Sequence, residues 1–208
     1  MEDNLNPSNG NVYHNRVMGA TPNPVMPNPD EIDEVFADRA NQVLSAGVEL
    51  ARELIGAHQS AIAIVVQKDW SSVRKFFSLS PKYAAWADYR VPAKGFGIHN
   101  WMLEHNAPIR LTQAELVAHP AWKGFGSAAG QHPPMRGWLA APLIDRQGIN
   151  WGLIQLSDKY EGDFNADDQR KFVDFAHLIS MHLETLWELR TLQKAAARFV
   201  LRRPRRKS

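Results

Sequence analysis

The stretch from Gly137 to Gln169 constrains the fold more than any other part of the chain. Trp138 to Ile144 is a short apolar run that fits a buried strand, and Trp151 to Leu156 repeats it. Between them lies Asp145-Arg146-Gln147-Gly148, whose Asp and Gly suit a tight turn, so the pair reads as an antiparallel hairpin. A charged elbow follows, Ser157-Asp158-Lys159, then Phe164 and Asn165-Ala166-Asp167-Asp168. Asn165 is a good helix cap, and Asp167 and Asp168 sit where a helix start favours negative charge. None of these residues forms an obvious reactive group.

The rest of the chain supplies more strands and helices. Asn28, Pro29, Asp30 and Glu31 carry the cap, first-turn proline and acidic pair of a helix start. Phe36, Ala40, Val43, Gly47, Leu50 and Leu54 then recur at spacings of four and three, a coiled-coil-like seam, and Gly56 suits the stop. Ala61 to Gln67 and Val73 to Leu79 read as strands joined by a turn at Lys68 to Ser72. Ser80 to Lys94 reads as irregular, with Trp86 and Tyr89 as anchors. Ile98, Trp101, Met102 and His105 share one face of a helix from Ile98 to His105. Pro108 to Leu111 reads as a short strand. Thr112 and Glu115 form a capping box for a helix reaching about His119, and Ala121 to Arg136 is a loop. The last helix is expected from Ala166 to Lys194. Phe172, Ala176, Ile179, Leu183 and Leu186 make one stripe on it; Phe175, Leu178, His182, Leu189 and Leu192 make another. Two stripes imply two partners: the helix's own sheet and another helix.

Three segments together resemble the GAF domain, a small-molecule-sensing and dimerising module of bacterial signalling proteins. They are the hairpin and elbow, the run Ala107 to Leu116 leading to His119-Pro120-Ala121-Trp122, and His132 to Leu139. The resemblance spans about Ile32 to Leu192 and is nearest to GAF domains joined to bacterial histidine kinases. It implies an α/β fold: a central, mostly antiparallel sheet flanked by helices, with long N- and C-terminal helices packed together. It also implies a pocket between one sheet face and the helices and loops over it. The spacing Asp158-Lys159, Phe164, Asp168-Gln169 is similar to the Asn-Lys, Phe, Asp-Glu signature of cyclic-nucleotide-binding GAF domains. Asp158 stands in place of the Asn and Gln169 in place of the Glu, which argues against that ligand.

Composition narrows the chemistry. At 208 residues, 44% hydrophobic, the chain holds one buried domain plus tails. It has no cysteine, so disulfides, thiolate metal sites and cysteine nucleophiles are excluded. The bilin attachment of GAF-like photoreceptors and the chemistry of GAF-like methionine sulfoxide reductases both use Cys, and neither has its residue here. The first ten residues are polar and acidic, unlike a signal peptide, and no apolar run matches a membrane span, so a cytoplasmic protein is expected. Six positive charges fall in the last eleven residues; removing them from the net +2 leaves −4 for the remainder. The expected organisation is a disordered segment at 1–29, a domain at 30–194 and a basic tail at 195–208. Pro204 interrupts the tail, which is expected to be solvated rather than to bind nucleic acid.

Candidate site residues have two open readings. Ile98, Trp101, Met102, Trp122, Phe125 and Trp138 fall in the segments that cover the implied pocket. They line a ligand site or form a collapsed aromatic core. Asp158, Lys159 and Asp168 either lock over a ligand or clasp the strand end to the helix start, and the clasp is favoured because the elbow needs bracing in any case. His99 and His105 are six apart and His177 and His182 five apart, so neither pair shares a helix face and no metal site is expected. No nucleophile elbow, dinucleotide fingerprint or phosphate loop occurs, and no catalytic residue is assigned. The expected function is a non-catalytic sensory or regulatory module, a homodimer through its terminal helices, acting on a histidine kinase or other signalling partner. Its ligand and any cofactor are unassigned. The alternatives are a ligand-free dimeric scaffold and, third, a small enzyme using a pocket His or carboxylate.

Overall fold

The computed structural model describes residues 34–65, 73–86, 97–124 and 135–201. The segment 1–29, the turn at Lys68 to Ser72, Tyr89, Phe125 and the arginines beyond residue 201 lie outside them. The elements in order are α1 (Glu34–Ile55), β1 (Ala57–Val65), β2 (Val73–Leu79), a 3₁₀ helix (Pro81–Trp86), α2 (Gly97–His105), β3 (Ile109–Leu111), α3 (Gln113–Ala118), β4 (Trp138–Ile144), β5 (Asn150–Lys159) and α4 (Ala166–Leu201). The strands form one sheet ordered β2-β1-β5-β4-β3, with every neighbouring pair antiparallel. The expected sheet and flanking helices are therefore present.

Strand β5 sits between β1 and β4, and all of it except Lys159 is buried. Covering a strand on both faces requires two layers. On one face Ile62, Leu139, Leu143, Ile154 and Leu156 meet Phe36, Leu44 and Val48 of α1 and Phe172, Ala176, Ile179 and Leu183 of α4. Helices α1 and α4 touch where Gly47 faces Ile179; a Cβ at Gly47 would lie 3.0 Å from Ile179 Cδ1. On the other face Trp138, Ala140 and Leu153 meet Ile98 and Met102 of α2, Leu116 of α3 and Met135.

The seam expected along α1 divides. Phe36, Ala40 and Gly47 do face inward, but Leu44, Val48, Ala51 and Ile55 complete the buried stripe, and Leu50 and Leu54 are exposed. A helix lying on a sheet uses a broad stripe of period 3.6 rather than a narrow heptad seam. Strand β1 starts at Ala57, four residues before the expected Ala61. The start Ala57-His58-Gln59-Ser60 has no apolar alternation, yet its backbone pairs with β5. The region expected to be irregular after Ser80 contains the 3₁₀ helix, with Tyr83 fully buried as its anchor. Helix α4 runs to Leu201, beyond the expected Lys194. Of its two stripes, Phe172, Ala176, Ile179 and Leu183 are buried, while Leu178, His182, Leu189 and Leu192 face solvent.

Strand and helix ends use the expected local chemistry. Gly56 at φ +77° ends α1, donating its N–H to Arg52 O at 3.0 Å. Thr112 and Glu115 form the capping box on α3. Asn165 Oδ1 accepts from the N–H groups of Asp167 and Asp168 at 2.9 and 3.0 Å, and Asp168 Oδ2 accepts from Asn165 N at 2.8 Å.

Gly152 permits the tightest approach within the sheet. Its φ is +152°, and an added Cβ would lie 2.1 Å from Ala63 O on the neighbouring strand. Gly148 in the hairpin turn also has positive φ, +80°, but nothing lies within 4 Å of an added Cβ. Gly148→Ala should cost about 1 kcal/mol from backbone strain alone. Gly152→Ala should cost about 3 kcal/mol, since backbone must move to relieve the overlap. Urea unfolding followed by tryptophan fluorescence checks this; equal losses for the two variants would contradict the assigned register.

Candidate functional site

Strand register builds the face beneath α2. Phe77 on β2 opposes Ala61 on β1, Ala61 opposes Gln155 on β5, Gln155 opposes Ala140 on β4, and Ala140 opposes Ile109 on β3. Residues directly opposite lie on the same face, so these five side chains cross the sheet in one row. A glutamine stands at its centre with an alanine on either side. The neighbouring row runs Leu79, Gln59, Ser157, Trp138 and Leu111.

Helix α2 brings its own residues over the β4 side of this face. Ile98, Met102 and Trp138 are buried in one cluster, and Trp101 and Trp122 pack against it half-buried. Five of the six residues named for the site thus come together, and Phe125 is outside the described residues. Trp101 is stacked on His105 with ring centroids 3.9 Å apart and meets His119 edge-on at 4.9 Å.

The polar centre of the face lies outside the residues that the sequence pattern singles out. Trp138 Nε1 donates to Gln155 Oε1 at 3.2 Å, and His99 Nε2 bonds the same oxygen. An indole N–H only donates, so the Gln155 atom it meets is the oxygen. His99 must then donate as well, which places its proton on Nε2. The His99 ring also meets Trp138 edge-on, 5.8 Å away. Burial holds His99 neutral, its pKa pushed down to about 4; the bond to Gln155 opposes the shift and the charge of Lys75 adds to it. The signal available in the sequence was Gln155 itself, a lone amide inside the apolar run Trp151 to Leu156.

At the elbow the three named residues make two separate contacts rather than one clasp. Lys159 Nζ meets Asp168 Oδ2 at 2.5 Å, joining the end of β5 to the start of α4. Asp158 lies apart from that pair. Its carboxylate is buried and accepts from Lys82 Nζ at 2.5 Å, Tyr83 OH at 3.0 Å and Arg136 N at 3.0 Å. Burial and the Asp158 charge raise the Tyr83 pKa, keeping the phenol protonated as the donor. Nearby, His58 Nδ1 bonds Ser80 Oγ at 2.8 Å and meets Tyr160 edge-on at 4.6 Å; burial lowers its pKa against the pull of Asp158. Arg52 spans Ser78 Oγ and Tyr160 OH.

Among the described residues no group of three His, Asp or Glu side chains is placed to hold a metal ion. Among them also, no helix is long and apolar enough to cross a membrane.

Acid should weaken the fold through these histidines. Both have lowered pKa values when folded and bind protons more readily once unfolded, so their contribution is complete above about pH 6.5 and is lost as pH falls below it, for His99 down to about 4. The carboxylates with lowered pKa, Glu115, Asp167 and Glu184, act only below their ordinary values near 4. Stability measured in urea from pH 7 to 5 should therefore fall, and His99→Gln should flatten much of that slope. An unchanged slope in the variant would show that His99 is protonated in the folded state.

A family model described as the GAF domain matches residues 39–183. Several solved structures share the fold. The GAF domain of a phosphoenolpyruvate-protein phosphotransferase from Coxiella burnetii is 20% identical with a TM-score of 0.53, over 81% of this chain and 97% of that one. A type II free methionine-R-sulfoxide reductase from Thermoplasma acidophilum is 12% identical with a TM-score of 0.54, over 73% and 96%. The second GAF domain of DevS from Mycobacterium smegmatis is 16% identical with a TM-score of 0.50, over 76% and 99%. No curated protein matches the sequence. The family match spans well over half the chain and coincides with the five-stranded sheet and its helices: the chain belongs to the GAF domain family.

Proposed function

We propose that this chain is a sensory or regulatory module of a signalling system, taking a small molecule on the α2 side of its sheet and passing the change to α4. The observation that carries this reading is the polar network at the centre of an aromatic-bordered face. His99, Gln155 and Trp138 form a recognition element amid Ile98, Met102, Trp101 and Trp122. Small-molecule sites combine an apolar lining with a few placed polar groups. GAF domains in a phosphotransferase and in DevS support a signalling role. The sulfoxide reductase with this fold is an enzyme, but this chain offers no cysteine for thiol chemistry. Native mass spectrometry of the purified protein tests the reading. A co-purifying small molecule that is lost in Gln155→Leu supports it; a chain of bare polypeptide mass that no added metabolite mixture shifts or stabilises argues against it.

Helix α4 supports dimerisation as the output. Leu178, His182, Thr185, Leu189, Leu192, Ala196 and Phe199 recur at spacings of four and three, and all are exposed. That is a heptad seam, and a second copy of the same helix is its natural partner. Parallel pairing would place the two copies' output ends together, where a histidine kinase or another signalling partner could read them. Leu189 and Leu192 are 42% and 67% exposed, so replacing both with Lys should leave thermal stability nearly unchanged while converting dimer to monomer in light scattering. A wild type that stays monomeric at high micromolar concentration would contradict the dimer.

The scaffold reading has one observation in its favour: Met102 and Trp138 are 0% and 2% exposed, as in an ordinary core. The half-buried Gln59, Ala63 and Phe77, on the β1–β2 side of the same face, favour the sensor.

A further inference from the structure

We propose that the β4–β5 turn is a coupler: Asn106 at the end of α2 moves the turn through Asn150, and the turn moves α4 through Arg146 and Gln147. The inference rests on the signalling reading above and adds the route by which a change on the α2 side reaches α4.

The two helices need such a route because they lie on opposite faces. Ile98 and Met102 of α2 pack on one side of the sheet, and Phe172, Ala176 and Leu183 of α4 on the other. The turn reaches both. Asn106 follows α2, donating its N–H to Met102 O at 2.9 Å, and its φ of +50° turns the chain. Asn150 Nδ2 donates to Asn106 Oδ1 at 2.6 Å, and Asn150 Oδ1 accepts from Gly152 N at 2.7 Å. A backbone N–H only donates, so the second bond fixes which end of the Asn150 amide faces Asn106. Asn150 is fully buried, and a buried amide is costly to leave unpaired, so Asn106 and the base of the turn are held at one separation.

The turn carries that position as a stiff piece. Asp145 is buried, and Gln147 N, Ile149 N and Trp151 Nε1 all donate to its carboxylate. A register shift between Pro142 and Ile144 interrupts the β4–β5 ladder just before it. Bulges bend a strand and break local pairing, so the turn is stiff within itself and jointed to the sheet.

On the other side the turn grips one turn of α4. Arg146 Nε meets Glu184 Oε2 at 2.7 Å, and Gln147 Nε2 reaches both Glu184 and Glu188. Trp187, between those two acids, packs on Trp151 and Phe36 with ring centroids 5.9 and 5.2 Å apart. Among the described residues Glu184 is the last buried one of the helix, and none from Leu189 to Phe199 is buried. The grip is therefore where the domain lets go of α4. A tilt of about 10° there moves Ala197, thirteen residues on, by about 3 Å.

Spin labels at Arg74→Cys on β2 and Ala197→Cys on α4, both exposed, test this in the full chain, which has no native cysteine. Excess unlabelled protein keeps each measured distance within one copy. Arg146→Gln should shift that distance by about 3 Å. Asn106→Gly, which suits the positive φ and removes the acceptor, should shift it as well. Asn106→Asp keeps an acceptor oxygen and should leave the wild-type distance. In the double variant Asn106→Gly should add nothing to Arg146→Gln, because its route is already cut. An Asn106→Gly distance equal to that of the wild type, or a shift that persists undiminished in the Arg146→Gln background, would overturn the coupler. A co-purified molecule found by native mass spectrometry beside an uncoupled α4 would sink the coupler and leave the sensory reading standing. Coupling in a chain of bare polypeptide mass would do the reverse.

Discussion

A buried carboxylate at Asp158 holds three segments of this fold in place. A charge taken out of water is tolerated only when it is paired and hydrogen-bonded. Asp158 meets that condition with Lys82, Tyr83 and the backbone N–H of Arg136, residues 76, 75 and 22 positions away. Its own N–H donates to Gly137 O at 3.2 Å, and its φ of +59° turns the end of β5. The 3₁₀ helix, the approach to β4 and the end of β5 are therefore tied to one side chain. Lys159, the next residue, points to Asp168 and ties the same strand end to α4. Adjacent residues thus anchor the chain that leads into the sheet and the helix that leads out of it.

That arrangement explains what the sequence could and could not disclose. The hairpin, β2, the Thr112 capping box and the inner stripe of α4 follow from local period and cap chemistry, which act over a few residues. Strand β1 begins ahead of its apolar run because Ala57-His58-Gln59-Ser60 is fixed by backbone pairing to β5 and carries no alternation of its own. The inward stripe of α1 is ambiguous in the sequence because Phe36, Ala40 and Gly47 fit both a heptad and a broad helix face; only the sheet beneath decides for Leu44 and Val48. The aromatic part of the site was legible, since Ile98, Trp101 and Met102 lie on one helix. Its polar centre was not. His99 and Gln155 are 56 residues apart, and what joins them is strand register, which fixes the face on which Gln155 stands. The elbow showed the right residue types but hid the division of labour, because a positive φ at Asp158 breaks the alternation that sequence reading assumes.

Helix α4 has a buried half and an exposed half, and its fastenings show how the sheet controls both. The first is Lys159 to Asp168 at the helix start, beside which Arg110 donates to Phe164 O at 3.0 Å and to Gln169 Oε1 at 3.2 Å. The second is at the hairpin tip. Arg146 Nε meets Glu184 Oε2 at 2.7 Å, and Gln147 Nε2 reaches Glu184 and Glu188 at 3.3 Å each. Asp145 stiffens that tip, its Oδ1 accepting from Gln147 N and Ile149 N and its Oδ2 from Trp151 Nε1. Asp168 and Glu184 are sixteen residues apart, about 24 Å along the helix axis. Two fastenings that far apart define the direction of a rigid rod, whereas one would leave it free to pivot. Both are made by β5 or by the β4–β5 turn, the strand pair that also carries Gln155 and Trp138. In the proposed sensor, a ligand that shifts β5 against β4 would move the two fastenings by different amounts. The helix would then tilt or turn as a unit, and the exposed seam beyond Glu184 would carry that motion without any bond in the seam itself being part of the site.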